Sequence, residues 1–105
     1  MSTPASQPDA PEVDIETFAE ALANGAVVVD VRESDEFIEG HIPGVVHIPM
    51  GDLGQRLHDL PAERPLYVIC ATGSRSKMCA TALKNQAGVE AINVAGGTKG
   101  WIESG

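Results

Sequence analysis

Cys70 begins a short segment, Cys-Ala-Thr-Gly-Ser-Arg, whose residue types could carry nucleophilic chemistry. A free thiol has a pKa of about 8.5, and its thiolate is the reactive form. Gly73 would allow a tight loop to turn its backbone N–H groups inward, and a helix directly after the loop would add the positive end of its dipole. The segment therefore predicts an anion-binding cup with an ionised sulfur at its base.

The spacing from Cys70 to Arg75 narrows the chemistry. Four residues separate the two, namely Ala71, Thr72, Gly73 and Ser74, and Ile69 precedes the cysteine. Cysteine phosphatases have a loop one residue longer, usually with a histidine before the cysteine. The shorter loop suits a single bound sulfur atom better than a tetrahedral phosphoryl group. A phosphatase or arsenate reductase is thus a disfavoured alternative.

The flanking sequence predicts the elements that position this loop. An apolar run over 66–69 is typical of a buried strand, and residues 76–84 have helical spacing, so Cys70 lies at a strand end where ligands bind in α/β sheets. Further strands and helices alternate along the chain: a helix capped by Asp14 and ending at 23, a strand over 26–31, a helix capped by Ser34 and ending at 40, a strand over 45–48, a short helix within 49–60, a strand over 91–94 and a final turn with Trp101. This order predicts an α/β fold with a mainly parallel sheet covered on both faces.

Several further segments match one known family in order and spacing. They are Val29-Asp30-Val31-Arg32, Glu36-Phe37, residues 40–44, His47-Ile48-Pro49, Arg75-Ser76, Ala80, Leu83, residues 94–97 and Gly100-Trp101. With the cysteine loop, they make the chain resemble a single-domain rhodanese over roughly residues 13 to 102. The resemblance implies a rhodanese-like three-layer domain with a five-stranded sheet. It also implies that Cys70 is catalytic and that Ala71, Thr72, Gly73, Ser74 and Arg75 bind substrate.

The resemblance further implies a sulfurtransferase of the thiosulfate sulfurtransferase type. Cys70 thiolate would take sulfane sulfur from thiosulfate or a persulfide, carry it as a persulfide, and give it to a thiophilic acceptor: cyanide in vitro, or a cellular or protein thiol. This mechanism requires no cofactor and no metal. A sulfur-accepting or sulfur-donating protein is an expected partner. The alternative is a non-catalytic regulatory rhodanese module, a class that typically lacks the cysteine.

Ala71 departs from the family pattern, because many members have a basic residue directly after the cysteine. Arg75 is then the sole guanidinium in the loop, and its position closing the loop favours contact with substrate or with the loop itself. Recognition of a dianionic donor is therefore expected to be weak, which favours persulfide donors.

Other reactive residue types have structural interpretations. Cys79 is expected to fill the core, with a resolving thiol for Cys70 as the alternative. Asp30 and Arg32 are predicted to be scaffold, with Arg32 paired to Glu33 or Glu36.

Two more motifs resemble ligand sites by residue type alone. His41 and His47 lack further ligands at metal-binding spacing, so structural hydrogen bonds are the stronger expectation and no metal site is predicted. Gly96-Gly97 lacks the flanking residues of nucleotide-binding loops and is assigned to a turn.

Composition sets the outer limits. The chain has 105 residues, 43% of them hydrophobic, enough for one core. Residues 1–11, rich in Ser, Pro and Ala, are predicted to be a disordered lead-in, and 12–105 one domain. Net charge is −8, with ten acidic residues and one basic residue over 1–40, which disfavours nucleic acid. No signal-like or membrane-length run is visible, and two cysteines fit a reducing compartment, so a cytoplasmic location without membrane contact is expected.

Overall fold

The fold is a five-stranded sheet in which every pairing is parallel. The computed structural model describes residues 9–104. The sheet has the order β1-β5-β4-β2-β3. Its strands are β1 Glu12–Val13, β2 Val27–Asp30, β3 Val46–His47, β4 Leu66–Ile69 and β5 Ala91–Val94. The predicted α/β class with a parallel five-stranded sheet is confirmed, and β4, which precedes Cys70, is the central strand.

Within residues 9–104 there are four α-helices and two 3₁₀ segments, of which the last helix follows β5 and the others lie between strands. The helices are α1 Ile15–Ala23, α2 Ser34–Glu39, α3 Ser74–Ala87 and α4 Gly97–Glu103, and the 3₁₀ segments are Met50–Gln55 and Leu57–Asp59. Asp14 caps α1 as predicted, since its Oδ1 accepts from the Thr17 N–H at 2.8 Å. Gly88, in the left-handed conformation, ends α3.

Helices cover both faces of the sheet, so the strands are buried on both sides. Along β4, Leu66 and Val68 face one cluster, which contains Cys79, Ala80 and Leu83 of α3. Tyr67 and Ile69 face the other, which contains Phe18 of α1 and Trp101 of α4. The Phe18 ring meets the Trp101 ring edge-on, with centroids 5.7 Å apart. The predicted three-layer arrangement is thus confirmed.

Several local predictions were wrong. Glu33, not Ser34, is the N-cap of α2, and its N–H donates to Glu36 Oε1 at 3.0 Å. The segment 49–60 forms two 3₁₀ segments and not one helix, consistent with the low helix propensity of Gly51 and Gly54. The final turn is instead the helix α4, which is held by contacts described below.

The predicted lead-in over 1–11 falls mostly outside the described residues, which begin at residue 9. Residues 9–11 pack on the domain. Ala10 is buried and its N–H donates to Thr81 Oγ1 at 3.0 Å, while the Pro11 carbonyl accepts from the Asn93 N–H at 2.8 Å. Over residues 9–104, no helix has the length and apolar character needed to cross a membrane.

Candidate active site

Cys70 lies at the carboxyl end of the central strand, where the chain leaves the sheet and turns into α3. The residue is only 1% exposed and packs against the α3 side of the core. β2 and β5 flank β4, so the thiol is enclosed by neighbouring strands as well as by the loop. The structure therefore places the cysteine at the predicted junction between strand and helix.

Hydrogen-bond donors surround the sulfur. The Gly73 N–H donates to Cys70 Sγ at 3.1 Å, and Ser76 Oγ lies 3.3 Å from Sγ. Burial raises the pKa of the Cys70 thiol, but hydrogen bonds from the Ser76 hydroxyl and from the N–H groups of Ser76, Gly73 and Thr72 lower it by more. The pKa of Cys70 is therefore below its ordinary value, the direction expected for a nucleophilic thiolate.

Gly73 makes this inward turn possible. Its φ is 108°, a region that L side chains rarely adopt, and a Cβ there would lie 3.2 Å from the Gly96 nitrogen. The loop thus passes close to the backbone that follows β5. Of the other predicted loop residues, Thr72 and Ser74 are exposed and Ala71 is partly buried.

The helix α4 supports the loop from outside. The Thr98 N–H donates to the Cys70 carbonyl at 2.8 Å, and the Lys99 N–H donates to the Ala71 carbonyl at 3.0 Å. Gly97 has a φ of 58°, and a Cβ at this position would collide with both carbonyl oxygens. Gly96-Gly97 therefore does more than form a turn, because it lets the first N–H groups of α4 hold the outward side of the loop while the inward side faces the sulfur.

Arg75 forms a two-point ion pair with Glu36 of α2. Its two terminal nitrogens lie 2.8 and 2.9 Å from the carboxylate oxygens, and about a third of each side chain is exposed. The hydrogen bond from Arg75 lowers the pKa of Glu36 from 4.5 to about 2, and the same contact raises the pKa of Arg75. The loop's guanidinium therefore already has an anionic partner.

The pairing predicted for Arg32 was wrong. Arg32 pairs with Asp30, with N–O distances of 2.9 to 3.1 Å, and the Arg32 N–H also donates to Asp30 Oδ1. Both side chains are buried, so the Asp30 carboxylate requires a neighbouring cation, which Arg32 supplies. Glu36 is paired with Arg75 instead. Arg32 uses its remaining donors on the carbonyls of Glu36 and Gly40, which agrees with the predicted scaffold role.

The two histidines make structural contacts. His41 Nδ1 donates to the Phe37 carbonyl and His47 Nε2 to the Arg32 carbonyl, each at 2.8 Å. Both rings stack on the Phe37 ring, with centroids 3.8 and 4.1 Å away. Within residues 9–104, no three His, Cys, Asp or Glu side chains are grouped to hold a metal ion.

Cys79 fills the core, as its sequence context predicted. It is 4% exposed and packs among Leu53, Ala80 and Leu83. Burial, and secondarily the charge of Cys70, raises the pKa of Cys79 to about 11. This thiol is therefore protonated near neutral pH.

Sequence reasoning missed a buried polar chain behind the sulfur. Ser76 Oγ lies 2.5 Å from Asn93 Oδ1, and Asn93 Nδ2 donates to Glu12 Oε1 at 3.0 Å. The available signal was Asn93 itself, an amide inside an otherwise apolar strand. Ser76 appeared only as a motif residue beside Arg75.

Comparison with known proteins identifies similar chains. The family model described as "Rhodanese-like domain" matches residues 14–104. The chain is 39% identical over 93 residues to a Bacillus subtilis protein named "Putative sulfur carrier protein YrkF", covering 87% of this chain and 50% of that one. It is 34% identical over 84 residues to "Thiosulfate sulfurtransferase GlpE" of Pseudomonas syringae, covering 79% of each. The chain thus spans about half the length of the first relative and most of the second.

Solved structures with the same fold include the human "Single Domain Sulfurtransferase TSTD1". That structure superposes with a TM-score of 0.79 at 30% sequence identity, covering 91% of this chain and 98% of the human one. A rhodanese-related protein from Thermoplasma volcanium superposes with a TM-score of 0.80 at 33% identity, covering 90% and 93%.

Proposed function

This chain belongs to the rhodanese-like domain family, several of whose members are named sulfurtransferases, and we propose that it transfers sulfane sulfur through a Cys70 persulfide. The donor is thiosulfate or a persulfide, and the acceptor is a thiophile: cyanide in vitro, or a cellular or protein thiol. The observation that carries the proposal is the environment of Cys70: its sulfur is buried at a strand end, loop N–H groups donate to it, and the pKa of the thiol is lowered. Cys70 is the catalytic residue, and residues 71–75 bind the donor.

In the first half-reaction, Cys70 thiolate attacks the outer sulfur of the donor. A bond forms between Sγ and that sulfur, and the donor's own sulfur–sulfur bond breaks with its electron pair on the leaving group, sulfite from thiosulfate or a thiolate from a persulfide. The negative charge then resides on the terminal sulfur of the enzyme persulfide. N–H groups of the loop stabilise that charge, as an oxyanion hole stabilises oxygen.

In the second half-reaction, the acceptor attacks the terminal sulfur. The bond between the two sulfurs breaks, its electron pair returns to Sγ, and Cys70 thiolate is regenerated. The same donors that lower the pKa of Cys70 make it a good leaving group in this step. Both half-reactions therefore use the same loop, and neither needs a cofactor.

The charge at the loop supports weakly charged donors over thiosulfate. Ala71 supplies no cation, and the Arg75 guanidinium is bound by Glu36 through both terminal nitrogens. Thiosulfate carries a sulfonate that must compete with a carboxylate already in place, and the chain's net charge of −8 opposes its approach. Persulfides of small thiols or of a partner protein avoid this competition.

A test is the intact mass of the protein after incubation with thiosulfate, and separately with glutathione persulfide. We expect the mass of one added sulfur, its loss on adding cyanide, and no addition in Cys70→Ser. Hydrolysis of a phosphate ester by the same preparation would favour the phosphatase alternative. A protein that takes up no sulfur from either donor would support the non-catalytic module.

A further inference from the structure

The Ser76 hydroxyl stands between two acceptors and has one proton to give. Its oxygen lies 3.3 Å from Cys70 Sγ and 2.5 Å from Asn93 Oδ1. Ser76 is 0% exposed and Asn93 is 1% exposed, so water cannot donate a hydrogen bond to the acceptor that does not receive the Ser76 proton. A serine hydroxyl donates one hydrogen bond and accepts others. At any moment it therefore donates either to the sulfur or to the amide.

Glu12 fixes which way the amide faces. The carboxylate of Glu12 can only accept, and its Oε1 lies 3.0 Å from Asn93 Nδ2. The register supports the contact, since Glu12 of β1 is the partner of Asn93 in β5. With Nδ2 directed to Glu12, Oδ1 is directed to Ser76. Because Oδ1 has no proton, Ser76 must be the donor whenever this bond forms.

The ionisation state of Cys70 decides where that proton is needed. A neutral Cys70 can donate its S–H to Ser76 Oγ while Ser76 donates to Asn93, so every group is satisfied. Cys70 thiolate has no proton to give and is stabilised further when the Ser76 hydroxyl donates to it together with the loop N–H groups. If Ser76 turns to the thiolate, Asn93 Oδ1 is left buried without it, and an unpaired buried acceptor costs free energy.

We propose that Ser76 and Asn93 form a hydroxyl switch, in which the Ser76 proton turns to Cys70 in the thiolate enzyme and returns to Asn93 when the sulfur is bound. Formation of the persulfide moves the negative charge from Sγ to the terminal sulfur, so Sγ no longer needs the donor. Asn93 thus favours the sulfur-loaded enzyme over the free thiolate. Ser76 contacts the reacting atom, and Asn93 is a positioning residue that acts through Ser76. The inference rests on the proposed role of Cys70 as nucleophile.

Other charged or titratable groups near the sulfur are few among the described residues. Arg75 follows the loop and is paired with Glu36, Cys79 of α3 is protonated near neutral pH, and Glu12 lies beyond Asn93. None of these groups can replace the Ser76 hydroxyl as the donor to Cys70 Sγ.

The test is the rate of alkylation of Cys70 by iodoacetamide as a function of pH, with Cys79→Ala as the background so that one thiol is followed. Asn93→Leu is a substitution of similar shape that removes the amide acceptor. In this variant the Ser76 hydroxyl can donate only to Cys70 Sγ. We expect alkylation below the titration midpoint to rise roughly threefold to tenfold, the factor that corresponds to the net contribution of an ordinary hydrogen bond. Ser76→Ala should lower the rate. In Ser76→Ala the Asn93→Leu change should have no further effect.

An equal effect of Asn93→Leu with and without the Ser76 hydroxyl would overturn the switch, because Asn93 would then act on Cys70 directly. Circular dichroism and thermal unfolding establish that each variant is folded.

A second variant leaves the buried residues intact. In Glu12→Lys, the new ammonium can only donate, so the amide of Asn93 reverses and Nδ2 donates to Ser76 Oγ, which sends the Ser76 proton to Cys70. We expect faster alkylation that again requires Ser76. Glu20→Lys in α1 makes the same charge change and should leave the rate unchanged. Acceleration by Glu12→Lys that persists in Ser76→Ala would be a long-range charge effect and would contradict the proposal.

This assay needs no sulfur donor, so the two proposals fail separately. Dependence of alkylation on Asn93 through Ser76, with no persulfide in the mass measurement, would retain the switch and reject sulfur transfer. Persulfide formation without that dependence would retain sulfur transfer and reject the switch.

Discussion

At the scale of single residues, two buried thiols in the same domain differ in pKa because only one of them is surrounded by hydrogen-bond donors. Both cysteines are less than 5% exposed. Burial, with a smaller contribution from the charge of Cys70, raises the pKa of Cys79 to about 11, whereas N–H groups and a hydroxyl lower the pKa of Cys70 despite burial. The chemistry of Cys70 is thus a property of the loop, and we expect only this thiol to react near neutral pH.

Cys70→Ser should abolish both persulfide formation and turnover, whereas Cys79→Ala should retain most activity with some loss of stability. The reason is that Cys79 packs in the core and stays protonated. Persulfide mass and thiosulfate:cyanide turnover measure the first effect, and thermal unfolding measures the second. Comparable loss of turnover in both variants would indicate a two-thiol mechanism and reject the core role of Cys79.

A second residue-scale prediction concerns the charge of Arg75. Glu36→Gln removes the competing carboxylate charge, so kcat/KM for thiosulfate should rise several-fold relative to a persulfide donor. Arg75→Ala should lower it by roughly one to two powers of ten, as loss of a charge-assisted hydrogen bond would. Second-order rate constants for both donors at two salt concentrations provide the measurement, because salt should weaken the thiosulfate effect selectively. Equal changes for both donors would mean that the ion pair organises the loop and does not select the donor.

At the scale of elements, the loop that follows Cys70 is held from two sides. The N–H groups at the start of α3 face the sulfur, and those of α4 bind the carbonyls of Cys70 and Ala71. Peptide planes fixed at their carbonyl ends cannot rotate, so their N–H groups stay directed inward. The reactive loop therefore depends on a helix that begins 27 residues after Cys70 in the sequence.

Gly97→Ala tests this dependence. A methyl group at Gly97 collides with two loop carbonyls and must displace them, so we expect kcat/KM to fall by roughly 100-fold, as is typical of small misplacements of catalytic groups. Gly88→Ala is the matched control, because Gly88 also has a positive φ but has open space around it. It should cost about 1–2 kcal/mol of stability and leave kcat/KM unchanged. Equal kcat/KM in the two variants would show that contact with α4 does not position the loop.

The sequence could predict the elements whose signals are local. The strand over 91–94 was predicted with the bounds that the structure has, and Asp14 caps α1 as its position indicated. β1 was not located because two residues show no periodicity. α4 was missed because its glycines disfavour a helix, and the contacts that stabilise it come from the distant loop and from Phe18 of α1.

The same division applies to the site. Cys70, Gly73 and the turn into α3 follow from adjacent residues, so the loop was predictable. The partners Glu36, Asn93 and Glu12 come from α2, β5 and β1, and the pairing of elements brings them to the loop. No local pattern in the sequence specifies those contacts. Because the pairing of Glu36 with the distant Arg75 was not predictable, Glu36 was wrongly considered a partner for Arg32.

At the scale of the whole molecule, acidic residues are concentrated before residue 41, and several of them contact residues of the later part of the chain. Ten of the fifteen acidic residues lie within 1–40. Of these, Glu36 pairs with Arg75 across 39 positions in sequence. This long-range pair gives the fold a stabilising contact whose strength depends on pH.

The sign of that dependence follows from the pKa of Glu36, which folding lowers from 4.5 to about 2. A carboxyl whose pKa is lowered on folding stabilises the folded state fully above its unfolded pKa, and the contribution is lost as pH falls through the folded pKa. We expect the difference in free energy of unfolding between the wild type and Glu36→Gln to be constant above about pH 5. It should diminish from pH 4.5 downward and vanish near pH 2.

Denaturant unfolding at several pH values measures this difference, with Asp59→Asn as a control at an exposed pair between neighbours in sequence. A difference between wild type and Glu36→Gln that does not change between pH 5 and pH 2.5 would contradict a charge-dependent role for Glu36.

The bonds from α4 to the loop carbonyls have a consequence for biosynthesis. The ribosome makes residues 97–104 after every strand of the sheet, so a growing chain can contain β4, Cys70 and α3 before anything binds those two carbonyls. In such a chain the peptide planes after Cys70 and Ala71 would not yet be fixed, so fewer N–H groups would be held toward the sulfur. We therefore expect the loop to reach its final geometry only when α4 docks, so that a nascent chain lacking α4 reacts more slowly with cellular persulfides and oxidants.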